Sequence, residues 1–111
     1  MAKRLTETVL HSLDHSVDRG SILYSGLLLE RNGNLYGTTY MGGRQVNGTV
    51  FELTPGGNGT WTAKLLHSFN SNGHDGLLPY AGLIFHGSGN LYGTTTEGGN
   101  HGSGSVFEVT L

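Results

Sequence analysis

Six histidines are the side chains here best suited to chemistry, because neutral imidazole serves both as a metal ligand and as a base near neutral pH. Their spacing supports neither use. There is no HExxH motif and no i, i+2 pair, and Asp75 follows His74 in what reads as a loop. His11 and His67 fall inside strand-like runs, where a hydrogen-bonded structural histidine is expected. Thiolate nucleophiles, thiolate metal sites and disulfides are excluded by the absence of cysteine. No serine sits on a nucleophile elbow. Gly33-Asn34-Leu35-Tyr36-Gly37-Thr38-Thr39 has a phosphate-loop flavour but lacks the lysine and following helix that a P-loop needs. No catalytic residue, metal or cofactor is therefore expected.

Binding is better served. Asp18, Arg19, Arg44, Gln45, His74, Asp75, Asn100 and His101 lie in glycine-rich or polar stretches, with Tyr24, Tyr80 and Trp61 adding aromatic surface. Fork-like polar groups beside aromatic rings suit a sugar. The formal net charge is −2, with no basic patch for nucleic acid and no apolar run of transmembrane length.

The elements that must position these groups come from a repeat. Gly33–Thr39 recurs as residues 89–95, an offset of 56 (89 − 33). Leu10-His11-Ser12 recurs as Leu66-His67-Ser68, Gly42-Gly43 as Gly98-Gly99, and Val50-Phe51-Glu52 as Val106-Phe107-Glu108, all in the same register. Glycine, at 20 of 111 residues against a usual share of about 7%, punctuates short apolar runs rather than forming a Gly-X-Y period. In the first copy, residues 25–30, 34–40, 49–54 and 61–69 read as strands; in the second, 81–86, 90–96 and 105–110 do. Asn32-Gly33 marks a hairpin, Asn34 and Asn90 are placed to close such turns, and Gly37 and Gly93 sit mid-strand where a neighbour must come close. Leu65, His67 and Phe69 should share one face of their strand. No 3.6-residue apolar period is present, so almost no helix is expected.

Four short antiparallel strands with periodic glycine and aromatic residues describe a β-propeller blade. The extra repeat length is assigned to loops at 14–23 and 70–79. The run 81–86 is apolar on both sides, as a strand sandwiched between blades would be, and is placed innermost, with 61–69 outermost.

Leu66-His67-Ser68-Phe69, Asp75-Gly76, Pro79-Tyr80-Ala81-Gly82-Leu83, Gly89–Thr95, Gly98-Gly99 and Gly104-Ser105-Val106-Phe107 resemble the GloVer repeat, a bacterial tandem-repeat family. The resemblance spans nearly the whole chain and implies a propeller-like, exported architecture; it carries over no catalytic residues. The first copy departs from it at 14–23, where Arg19-Gly20 and Leu23 replace the Asp-Gly and Pro of the second.

The register implies assembly. Residues 1–111 form one two-blade unit, with blade 1 at 25–69, three strands of blade 2 at 81–111, and an outermost strand at 5–13 that aligns with 61–69. That strand would complete the second blade of a neighbouring copy, giving a self-assembling interaction scaffold closed as a cyclic homo-oligomer. Three copies make six blades and four make eight, within the roughly 4–8 of known propellers; the tetramer is preferred. Two further readings are a multivalent carbohydrate-binding ring and a hydrolase or lyase centred on His74 and His101.

Overall fold

The computed structural model describes residues 6–12, 22–43, 47–87 and 89–111. Two antiparallel sheets make up the fold. The first runs in the order β1 (Leu28–Leu29), β2 (Leu35–Thr39), β3 (Thr49–Pro55) and β4 (Trp61–Ser68). The second contains β5 (Gly76–Pro79), β6 (Ile84–His86), β7 (Asn90–Gly98) and β8 (Ser105–Val109). Strand β7 is its spine: β8 pairs along one edge, while β6 and β5 share the other, end to end. Among the described residues the only helical feature is a 3-10 turn at Gly57–Gly59. The all-β expectation holds; the runs 34–40, 49–54, 61–69, 90–96 and 105–110 each contain a strand, while 25–30 and 81–86 contribute only Leu28–Leu29 and Ile84–His86. Residues 76–79, read from the sequence as loop, instead form β5: Gly76 faces Gly98 and Pro79 faces Thr95, so the long β7 gains a second partner where β6 ends.

Repeat symmetry extends to side chains. Gly37 pairs with Phe51 across β2 and β3, and Gly93 with Phe107 across β7 and β8. Each phenylalanine ring lies over the glycine opposite; a Cβ on Gly93 would fall 2.6 Å from Phe107 Cζ and 2.8 Å from Leu83 Cδ2. The mid-strand glycines are therefore required by close approach. Gly93→Ala should cost roughly 1–3 kcal/mol by overpacking, read as a lower urea midpoint at unchanged slope. The β1–β2 turn is closed differently from the sequence expectation. Gly33 N–H donates to Glu30 O (2.9 Å), and it is Asn32 Oδ1 that accepts the Asn34 N–H. The Asn34 and Asn90 side chains reach across the sheet instead, to Glu52 (3.5 Å) and Glu108 (3.0 Å), because each lies in or beside the strand facing that glutamate.

Directly paired residues share a face of a sheet. Each sheet thus has a glycine face and a tyrosine face. In the first sheet the former carries Leu29, Leu35, Gly37, Phe51 and Leu53, and the latter Leu28, Tyr36, Thr38 and Val50. The core forms where the tyrosine face of the first sheet stacks on the glycine face of the second. Tyr36, Val50, Phe69, Leu83 and Leu91 are buried there, flanked by Leu28, Leu66, Phe85, Phe107 and Val109. Tyr36 meets Phe85 edge to face at 5.6 Å.

The Tyr36 hydroxyl lies 2.8 Å from Glu52 Oε2 and 3.0 Å from Glu30 Oε1. Burial, then the Glu52 hydrogen bond, pushes its pKa well above the ordinary tyrosine value. The folded state therefore holds this proton more tightly than the unfolded chain. Its contribution is constant below about pH 10, the unperturbed tyrosine value, and is lost as pH rises beyond it. Alkaline titration followed at the tyrosinate absorbance should show one tyrosine ionising last, together with unfolding.

In a single chain each sheet has only one neighbour, so the innermost strands are covered on one side: Ile84 is 63% and Leu29 66% exposed. Two sequence expectations are corrected here. Leu65 and His67 do not share a face, since a bulge pairs Phe51 with Leu65 and Val50 with His67, leaving Leu66 as the extra residue. Of the expected outer strand 5–13, residues 6–12 are described and lie in no strand; they border the glycine face of the first sheet.

Candidate functional site

Loops gather at one end of both sheets, where β2 and β7 finish and β3 and β8 begin. Backbone bonds knit them: Phe69 N–H donates to Gly48 O (3.0 Å), Leu78 N–H to Asn47 O (2.8 Å), Gly99 N–H to Asp75 O (2.7 Å) and Tyr40 N–H to Ile22 O (2.7 Å). Ile22 and Leu78 are repeat equivalents and both adopt positive φ, at 63° and 59°. That shared backbone turns the chain into the innermost strand and swings Tyr24 and Tyr80 to the same place. Their rings stack at 4.7 Å, with Tyr40 edge-on to both at 5.0 and 6.1 Å. Both stacked rings are about half exposed. Trp61 does not join them; it pairs with Pro55 at the opposite end of the first sheet.

The other candidates separate into two kinds. Asp75 is bound inward: its Oδ2 accepts from His67 Nε2 (2.9 Å) and from the Asn70 N–H (3.0 Å), while Asn72 Oδ1 caps the His74 and Asp75 N–H groups. The carboxylate pins the loop between the sheets, and His67 is the hydrogen-bonded histidine its strand position suggested. His74 and Asn100 are surface partners, Nδ1 to Oδ1 at 2.9 Å. Asn100 and His101 line an open cleft of about 380 Å³ with Ser71, Leu77 and Glu97. Asp18, Arg19, Arg44 and Gln45 lie outside the described residues. The tyrosine group offers a half-exposed aromatic surface, and the cleft separately offers donors and acceptors from Asn100, His101 and Glu97.

The second candidate is the pair of open sheet faces. Val50, on the stacked tyrosine face, is fully buried, whereas its repeat equivalent Val106 is 79% exposed on the open one. Leu83 on the stacked glycine face is 6% exposed; its equivalent Leu27 is 56% exposed. The same residue type at the same repeat position is thus core in one place and surface in the other.

Residues 2–111 match the family model of the Gloeobacter/Verrucomicrobia repeat. The chain belongs to this repeat family. No curated protein and no solved structure matches it. The family match confirms the resemblance carried by the Asn-Leu-Tyr-Gly-Thr-Thr core, and the repeat explains why the two sheets reproduce each other down to the Gly–Phe pairs.

Some site residues of the repeat were not singled out from the sequence. Tyr40 completes the aromatic group, yet its equivalent is Thr96, so the repeat comparison hides it. Ser71, Leu77 and Glu97 line the cleft through the unanticipated β5–β7 pairing.

Proposed function

We propose that this chain is a self-associating β-propeller scaffold, an interaction module without catalytic machinery, in which the open tyrosine face of one copy stacks on the open glycine face of the next. The observation that carries it is the contrast between Val106 and Val50, and between Leu27 and Leu83. Each exposed apolar residue has an equivalent already buried in a face-to-face contact within the chain. A second copy therefore meets a surface whose partner is known from the repeat itself. The contact is heterologous, so it closes into a ring when the angle between sheets divides the circle. Fully burying a large aliphatic side chain is worth roughly 1.5–3 kcal/mol, enough for a handful of such positions to drive association. Light scattering at micromolar concentration should give a mass of three or four chains, four preferred. A stable monomer overturns the proposal.

A second reading is favoured by the Tyr24–Tyr80 stack. In a ring, each innermost strand would bring its own tyrosine to the axis, presenting a multivalent aromatic platform suited to sugar rings. A glycan array probes it, and Tyr80→Ala should abolish any hit.

A further inference from the structure

Resting on that reading, we infer that the free edge of β8 is a strand-accepting groove, and that its occupant is the 6–12 segment of a second copy in a fixed register. Strand β3, the repeat equivalent of β8, pairs on its outer edge with β4; among the described residues nothing pairs with the outer edge of β8. Alongside that edge runs a groove of about 300 Å³. One wall is β8 from Phe107 to Thr110; the other holds Leu66, His67, Phe69 and Asp75. An unpaired row of backbone donors and acceptors beside an apolar trough is the geometry of strand addition.

The occupant is identified by the first sheet. Residues 6–12 are the repeat equivalents of 62–68, which fill this position against β3. In the single chain they lie in no strand, and Val9 is 68% exposed. The pairing of β3 with β4 then dictates the register by subtraction of the repeat. Thr54–Thr62 becomes Thr110 against Thr6; Phe51–Leu65 becomes Phe107 against Val9; Val50–His67 becomes Val106 against His11. Val9 shares the face of Phe107 and enters the trough beside Leu66. Stacked faces and an added strand thus join the same two copies, one contact by side chains and the other by backbone.

The chain has no cysteine, so engineered thiols report cleanly. Paired strand positions lie about 4.5–5.5 Å apart at Cα, within disulfide range. Thr6→Cys with Thr110→Cys should oxidise to a ladder of linked chains ending at the ring size, while each single variant gives dimers at most. Thr8→Cys with Thr110→Cys, two residues out of register, should link at least tenfold less under the same oxidant. A multimer by light scattering that fails to link, or links equally in both registers, overturns the strand inference and leaves the face-to-face reading standing. A disulfide closed within one chain also overturns it. A monomer removes both.

Discussion

A chain carrying Ile84→Asp and Val106→Asp should be monomeric at concentrations where the unaltered protein is a multimer. Both residues are solvent-exposed in the single chain, at 63% and 79%, so the substitutions should leave the fold intact. In the proposed assembly they are buried, as their equivalents Leu28 and Val50 are to differing degrees within the first interface. Losing two large apolar contacts removes roughly 3–6 kcal/mol per interface, or about 10²–10⁴ in association constant, before the cost of burying carboxylates. Leu27→Asp with Leu29→Asp should do the same from the other side. The decisive measurement mixes the two variants. Each retains one usable face of opposite kind, so they should form a one-to-one dimer and nothing larger, by sedimentation velocity. Dimers formed by either variant alone would show that stacking of unlike faces is not what holds the copies together.

Phe69→Ala should be the most damaging single truncation in the monomer. The ring is fully buried, 4.6 Å from His67 and 5.2 Å from Phe107, and its N–H donates to Gly48 O. It therefore holds the end of the first sheet, the loop beyond it and the second sheet at one point. Phenylalanine-to-alanine changes in a packed core cost about 3–5 kcal/mol. Native domains have only about 5–15 kcal/mol to lose. At this size the melting midpoint should fall by about 12 °C or more. Ile84→Ala, truncating a residue exposed in the monomer, is the matched control and should move it little if association is suppressed. A loss below about 1 kcal/mol for Phe69→Ala would mean the two sheets are not coupled through this ring.

These two predictions draw on different sources. The Phe69 effect could not be anticipated from its repeat equivalent, Leu13, nor from the strand pattern, which placed residue 69 within β4 rather than beyond its end. The stacking effect was partly legible, because apolar residues on both sides of 81–86 signal a strand meant to be covered twice. What the sequence leaves open is which face of each sheet a single chain covers.

The candidate site divides in the same way. That Tyr24, Tyr80, His74 and Asn100 gather at one end follows from the alternation of strands and loops, which the glycines and the 56-residue register make plain. That Asp75 turns inward to His67 and Asn70 depends on where the 70–75 loop folds back. That Trp61 sits at the far end follows from which end of β4 it occupies.

The amino-acid sequence by itself determined the all-β class, the 56-residue repeat with most of its strands, and the family, because period-two patterning, turn residues and Gly–Phe complementarity act over short stretches of chain. Tertiary structure alone decided that β5 joins the second sheet, that a bulge at Leu66 separates His67 from Leu65, and which face of each sheet is buried. Those outcomes depend on the stacking of residues far apart in the chain, and positions of the same residue type in the two repeats, such as Val50 and Val106, carry no local mark of which copy is covered.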